Sequence, residues 1–304
     1  MGNEPIAELP WVTVVCLCYN QADYVETALE SVVVQDYPNV ELVIVDNASV
    51  DRSAKVIEEW IANHEGFPIT YLPQSENLGI CRGFNLGWQA GKGKYCIDLA
   101  ADDVLLPERV SFGVRDLEAA GSEYGVHFTD SLEIGPDGAP GHQFFVDATL
   151  PQGDVYTQVV ARYCIPVPTL MFRRVMLEAL GGYDESLHYE DFDIMVRAAR
   201  DWKFVGHPEV LVYKRDLPRS KGSEREEATS PHLITTAKVC EKIMAMNRVP
   251  EEMRALRQRV DYELREAARV GHREAMRALL ALSKQLKPRS WQTTLLETWA
   301  GWKS

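Results

Sequence analysis

Two short runs near the start of the chain, Val12 to Leu17 and Val40 to Val45, are β-branched and apolar with little alternation between polar and apolar positions. Strands of a parallel sheet covered on both faces need such runs, whereas a strand with one wet face shows a period of two. Between them Tyr24, Ala28, Leu29, Val32 and Val33 recur at helical spacing, with Asp23 the expected cap. Pro38-Asn39 closes that unit. The second run ends on Asp46-Asn47-Ala48-Ser49, Asp51 is expected to cap a helix carrying Val56, Ile57, Trp60 and Ile61, and Ile69 to Leu72 reads as a third strand. Alternation at this spacing implies right-handed crossovers and a parallel sheet, with ligands beyond the carboxyl ends of the strands.

A fourth run, Gly93 to Ala100, leads into Ala101-Asp102-Asp103. Adjacent carboxylates at the exit of a buried strand are costly to desolvate unless positive charge sits between them, which points to a divalent cation and a phosphate ligand. Tyr19-Asn20, Asp46 and Asp102-Asp103 all end strands, so the topology predicts that they share one edge. Before this run, Asn77 to Gly87 holds several glycines in a helical stretch, at about 1 kcal/mol each relative to alanine, which implies close approach to a neighbour or a ligand. The stretch lacks the Lys-Ser/Thr ending of a phosphate-binding loop, and a dinucleotide fingerprint would follow the first strand instead.

Further on, Pro107 to Ala120 reads as a helix and Tyr124 to Phe128 as a strand, and Gly135-Pro136-Asp137-Gly138 forms a tight turn. Asp154 to Tyr163 suits a helix, Val167 to Phe172 a strand, and Arg174 to Leu180 a helix stopped by Gly181-Gly182. Tyr183 to Asp193 interleaves aromatic residues with many acids ahead of a helix. The helix dipole explains some of the acids but not the aromatics, which suggest a lined pocket. Val210 to Tyr213 reads as a late strand, and from Ser230-Pro231 onward the chain reads as helix.

The formal net charge of -13 argues against a nucleic-acid partner, yet a metal and backbone amides can neutralise a diphosphate inside an acidic protein. The six cysteines show no metal-ligand or redox spacing, so they read as reduced core thiols. Met1 to Pro10 has no signal-peptide pattern, and no apolar run approaches the ~20 residues of a membrane span. The expectation is a soluble cytoplasmic protein, at most peripheral at the inner face of the membrane.

Taken in order, the chain resembles the family 2 glycosyltransferases, inverting enzymes that use nucleotide sugars. The resemblance runs from about Trp11 to Ser220. It is carried by Val12-Thr-Val-Val-Cys-Leu-Cys-Tyr-Asn20, Glu41-Leu-Val-Ile-Val-Asp46, Asn77-Leu-Gly with Asn85-Leu-Gly, Gly91-Lys-Gly-Lys-Tyr95, the acidic pair, and Gly181-Gly-Tyr-Asp-Glu185 followed by Glu190-Asp191. It implies a GT-A fold: a Rossmann-like α/β domain with a mostly parallel central sheet and flanking helices, here followed by a C-terminal helical extension. The expected division is a tail over 1–10, a glycosyltransferase domain over 11–220 (nucleotide half about 11–106, acceptor half about 107–220) and the extension over 221–304.

The resemblance assigns Cys18 and Tyr19 to the base through backbone atoms and Asp46 to the base or ribose. It gives Asp102 to the ribose or metal, and Asp102 and Asp103 to Mn2+ or Mg2+ against the diphosphate. It makes Asp191 the catalytic base, with Glu190 and His188 on the acceptor side. Arg82 is a further candidate, for a phosphate or base contact. The implied donor is a UDP- or dTDP-sugar, and the implied acceptor a glycan, lipid-linked or protein hydroxyl in surface polysaccharide or glycoconjugate assembly.

Two departures stand out. Ala100 replaces the first acid of the Leu-Asp-Ala-Asp-Asp pattern, and Tyr213-Lys214-Arg215-Asp216 stands where relatives carry Tyr-Arg-Xaa-His, so Asp216 is a third candidate ligand. These departures keep open a catalytically silent nucleotide-sugar or glycan-binding relative. A nucleotidyltransferase is disfavoured because Cys18-Tyr19-Asn20-Gln21 holds neither glycine nor base. The processive Gln-Xaa-Xaa-Arg-Trp motif is absent, so transfer of a single sugar is expected. Trp291, Trp299 and Trp302 with Lys287, Arg289 and Lys303 suit either core or homodimer packing or contact with a membrane surface.

Overall fold

The computed structural model describes residues 8–146, 149–188, 190–218 and 231–286. The described residues within Met1–Gly153, Pro166–Tyr183 and Trp202–Arg215 form one compact unit, and those within Asp154–Ile165, Asp184–Asp201 and Asp216–Ser304 another.

The first unit is built on a nine-stranded sheet. Strands β1 (Val12–Cys18), β2 (Val40–Asp46), β3 (Ile69–Pro73) and β4 (Tyr95–Ala100) are parallel, in the order β3-β2-β1-β4. Helices α1 (Val25–Val33), α2 (Ser53–Ala62) and α3 (Gly79–Ala90) make the crossovers. Beyond β4 the sheet turns mixed. Strand β8 (Met171–Arg173) pairs antiparallel with β4 and with β6 (Tyr124–Ile134), and β6 runs parallel to β9 (Lys203–Arg215), whose other neighbour is β5 (Val104–Leu105). A short β7 (Pro140–Gln143) folds back on β6 through the expected turn, in which Gly138 takes φ +83°. Helices α4 (Arg109–Ala120) and α6 (Arg174–Leu180) complete the unit.

Both opening runs are strands buried almost throughout, as their lack of alternation requires. The glycines of α3 serve a neighbour: a Cβ on Gly83 would lie 2.7 Å from Leu17 Cδ1, and one on Gly87 would overlap Val15 Cγ1. These bare positions let α3 lie directly on β1.

Three local expectations change. Asp23 does not cap α1; Tyr24 is the N-cap without a side-chain bond, because the chain enters the helix from a turn in which the N–H groups of Tyr24 and Val25 both donate to the Gln21 carbonyl. Val167 to Phe172 is not one strand. Pro166 and Pro168 set a 3-10 turn over Val167–Thr169, and the strand starts at Met171. The late strand is far longer than Val210 to Tyr213, because β6 offers it a parallel partner from Tyr124 to Ile134.

The second unit is helical: α5 (Tyr156–Ala161), α7 (Asp191–Asp201), α8 (Pro231–Met246), α9 (Pro250–Val270) and α10 (Arg273–Gln285). Leu256, Val260 and Leu264 of α9 and Met276 and Leu279 of α10 recur at helical spacing and are buried. The Glu252 carboxylate accepts from the Arg248 N–H at the start of α9 and pairs with Arg200 of α7 at 2.9 Å. Among the described residues no helix is long and apolar enough to cross a membrane. The tryptophan-bearing tail lies outside the described residues.

Candidate active site

The carboxyl edge of the parallel strands is levelled by register. Cys18 stands opposite Asp46, Leu17 opposite Ala100, and Asp46 opposite Pro73. Cys18, Tyr19, Asp46, Asp102 and Asp103 therefore share one edge, as the topology predicts. The loops that leave this edge clamp one another. Asn20, with φ +56°, receives the Val50 N–H on its side chain and donates its own N–H to Ser49 Oγ; Gln21 N donates to Ser53 Oγ, and Ala22 N to Asp51 Oδ2. Asp51 also accepts the Ser53 N–H at 2.8 Å, but it is not the cap expected of it: it stands one residue before the N-cap of α2, Arg52, which makes no side-chain cap bond.

Asp46 is buried, and its Oδ1 accepts the Ser49 N–H in a tight turn through Ala48, at φ +61°. Asn47 ties this turn to the start of α3, accepting the Leu78 N–H at 2.7 Å and donating to the Asn77 side chain. Tyr19 is 44% exposed above this frame. Cys18 is buried beneath it, its backbone C=O taking the Asn47 N–H, and burial pushes its thiol up to about 11. A thiol so held is neutral at physiological pH and is no nucleophile. Arg82 lies in the first turn of α3 with its side chain exposed.

At the end of β4, Asp102 and Asp103 sit beside β9. The Arg215 N–H donates to Asp103 Oδ1 at 2.8 Å, and its guanidinium donates to the Asp102 C=O and to the carbonyls of Gly135 and Pro136. That guanidinium also lies over the Tyr24 ring at 4.7 Å. Gln21 Nε2 reaches Asp102 Oδ2 at 3.4 Å. Burial raises both carboxyls above their ordinary range, and the charge of Asp102 pushes Asp103 further in the same direction. Two neighbouring acids that resist ionising together gain from a cation placed against them. Among the described residues no group of three or more His, Cys, Asp or Glu side chains forms a closed metal cage. The donor set suits instead a hard cation that takes one or two carboxylates and completes its shell with phosphate and water. Asp216 is exposed.

A family model described as Glycosyl transferase family 2 matches residues 13–177, from the first strand through the acidic pair to α6. The chain belongs to glycosyl transferase family 2. This family member is 27% identical over 212 residues to the uncharacterized glycosyltransferase RP339 of Rickettsia prowazekii, covering 68% of this chain and 64% of that protein. It is 24% identical over 165 residues to the putative teichuronic acid biosynthesis glycosyltransferase TuaG of Bacillus subtilis, covering 54% and 63%. The chain thus spans less than two thirds of the length of these curated relatives. Among solved structures, S. aureus TarS 1-349 in complex with UDP-GlcNAc matches with a TM-score of 0.71 at 15% identity, covering 91% of this chain and 80% of that one. The mannosyltransferase PcManGT from Pyrobaculum calidifontis, in complex with GDP-Man and Mn2+, matches with a TM-score of 0.61 at 20% identity, covering 97% and 81%. At these identities the likeness shows the fold, the α/β GT-A type with C-terminal helices.

The remaining expected residues of this family 2 chain lie in the helical unit. Asp191 is the first residue of α7, is buried, and lines a small pocket of about 20 Å³ with Val159, Met195, Thr236 and Arg259. That volume suits a single water. Glu190 is half-buried beside it. His188 is exposed, with its backbone N–H 3.4 Å from Thr235 Oγ1.

Three residues that matter to the sheet edge were missed as site residues. Arg215 was in view only as the neighbour of Asp216. Gln21 entered only as a residue that is neither glycine nor base, and Asn47 only as part of the motif around Asp46. Asparagine directly after a strand-ending Asp was the available signal, since such side chains cap turns and helix starts.

Proposed function

We propose that the protein is an inverting glycosyltransferase that moves a single sugar from a nucleoside-diphosphate sugar to an acceptor hydroxyl. The observation that carries this reading is the pair Asp102 and Asp103, half-buried and buried respectively at the carboxyl edge beside Cys18 and Asp46 and backed by Arg215. Family membership and the nucleotide sugars named with TarS and PcManGT support it.

In this reading Asp46 and the backbone of Cys18 and Tyr19 hold the nucleoside, and Arg82 meets the donor's phosphates or base. Asp103 holds Mn2+ or Mg2+ and Asp102 the same ion or the ribose, with Asp216 a further candidate ligand. When bound, the cation supplies Lewis-acid stabilisation of the departing diphosphate. Asp191 takes the proton of the acceptor hydroxyl as it attacks the anomeric carbon from the face opposite the leaving group, so configuration inverts. Glu190 and His188 flank the acceptor.

The donor is a UDP- or dTDP-sugar by resemblance, and the GDP-Man of PcManGT adds guanosine donors to those to be tried. The acceptor is a glycan, lipid-linked or protein hydroxyl in surface polysaccharide or glycoconjugate assembly, a reading that TuaG's name supports. The glycosyltransferase domain is assigned to 11–220 and the helical extension to 221–304. The place of work is the cytoplasm, at most peripherally at the inner face of the membrane, with the tail serving core packing, a homodimer surface or that contact.

Ala100 and the missing histidine favour a second reading, a silent nucleotide-sugar binder. Incubation with UDP-, dTDP- and GDP-sugars, Mn2+ and a mixed glycan acceptor pool separates the two. The enzyme reading expects nucleoside diphosphate release from one donor class, with inverted product. Tight donor binding without hydrolysis or transfer from any of them would establish the silent reading instead.

A further inference from the structure

Within the helical unit, the segment from Asp184 to Asp193 is bracketed by one side chain. Lys242 of α8 places its Nζ 2.5 Å from Asp184 Oδ2 and 2.7 Å from Asp193 Oδ1. These two acids stand on either side of Glu190-Asp191, seven residues before Asp191 and two after it. Asp193 is only 1% exposed, and its other oxygen takes the Arg197 Nε–H at 2.6 Å. Asp184 uses its Oδ1 to accept the N–H and Oγ–H of Ser186, and its C=O accepts the Leu187 N–H. A second residue of the same helix, Thr235, stands seven positions before Lys242 and so on the same face, and its Oγ1 meets the His188 N–H. Burial opposes ionisation of Asp184, yet the hydrogen bonds from Lys242 and Ser186 hold its carboxyl well below the usual carboxylate range.

We infer that Lys242 is a positioning residue for Asp191: it closes the 184–193 segment into a bracket and fixes where the Asp191 carboxylate stands when the acceptor is deprotonated. This rests on the assignment of Asp191 as base. The physical ground is that a buried carboxylate with one fixed cationic partner on each oxygen, as Asp193 has, is locked in orientation, and Asp191 leaves the same helical turn two residues earlier. A base displaced by an ångström loses most of its advantage while the donor site is untouched. The helical extension thereby contributes to turnover through α8, and a chain truncated before α8 would hold donor without transferring the sugar.

The test uses the full chain with Lys242→Met, Lys242→Arg and Asp184→Asn. Hydrogen exchange is followed by mass spectrometry on the peptide spanning 184–193, alongside nucleoside diphosphate release from the donor that the wild type turns over. Lys242→Met should speed exchange in that peptide and lower kcat by about 10- to 100-fold with the donor KM unchanged. Lys242→Arg should restore most of both, and Asp184→Asn should give a smaller loss in the same direction. Circular dichroism and the melting curve identify a variant that has simply unfolded, in which case Asp184→Asn decides alone. Unchanged exchange, or faster exchange with unchanged kcat, overturns the inference. A wild type silent toward every donor defeats the catalytic reading and the positioning role with it, whereas an active wild type with an unaffected Lys242→Met defeats the positioning role alone.

Discussion

The carboxyl edge of the sheet and the segment from Asp184 to Asp193 both present acids, yet they are held by different means. At the sheet edge the acids are levelled first by main chain, with β-ladder register setting Cys18 opposite Asp46 and the backbone N–H of Arg215 on Asp103, and neutral side chains such as Asn20 and Asn47 then tie the loops. In the helical segment it is done by charged side chains, with Lys242 and Arg197 on the acids that flank Asp191. Ladder bonds form whatever the side chains are, whereas an ion pair is lost with a single substitution. On the proposed reading, the donor side leans first on strand register, whereas the proton acceptor's flanking acids depend on Lys242, about 50 to 60 positions further along the chain, and on Arg197 within the same helix.

The strongest way to break this comparison is at Asp191 itself. Asp191→Asn should leave donor binding unchanged and lower turnover by about 100-fold or more, the scale of a lost general base, as read by nucleoside diphosphate release and by calorimetric titration of donor. Equal losses in binding and turnover would mean that the two acidic stations do not divide the labour.

A second, smaller effect sharpens the sheet side. Asp98 of β4 is half-buried, desolvation pushes its carboxyl up to about 6, and the Tyr183 hydroxyl that donates to it at 2.8 Å only partly offsets this. Its folded value lies above the ordinary unfolded one near 4, so the folded state holds the extra proton between them. Stability from this group is present below about pH 4 and is lost as pH rises through 6, on the order of 3 kcal/mol by pH 7. Urea unfolding of the wild type and of Asp98→Asn, which keeps an acceptor for Tyr183, should show that slope in the former and its absence in the latter. Parallel pH profiles would contradict it.

The smallest effect tests the seat of α3. Gly87→Ala gains helix propensity but drives a methyl group into Val15, which β-branching leaves little freedom to move, so a net destabilisation of about 1 kcal/mol is expected from thermal unfolding. A stabilised variant would show that the helix can lift from the sheet without loss.

Much of the sheet edge was legible in the sequence because its signals are local. Runs without alternation mark buried parallel strands, and a polar residue at the end of each run marks the ligand edge; Val12 to Leu17, Val40 to Val45 and Asp102-Asp103 carried that reading. The glycines of Asn77 to Gly87 signalled a close approach without naming the neighbour, which is β1. Arg215 and Lys242 were not legible. Each acts on acids far away in the chain, Arg215 on residues about 110 positions earlier and Lys242 on residues about 50 to 60 earlier, and a charged residue in a strand or helix pattern gives no sign of its partner. The 3-10 turn at Val167–Thr169 was misread for a related reason: apolar content looks the same in a strand and in a buried turn, and the two prolines were the weaker signal.

The most direct measurement of the central claim is calorimetric titration of UDP or GDP into wild type and Asp103→Ala, each with and without Mn2+. Mn2+ should tighten nucleoside diphosphate binding to the wild type by about tenfold or more, and this dependence should vanish in Asp103→Ala with its fold and metal-free affinity retained. An unaltered metal dependence in Asp103→Ala would contradict it.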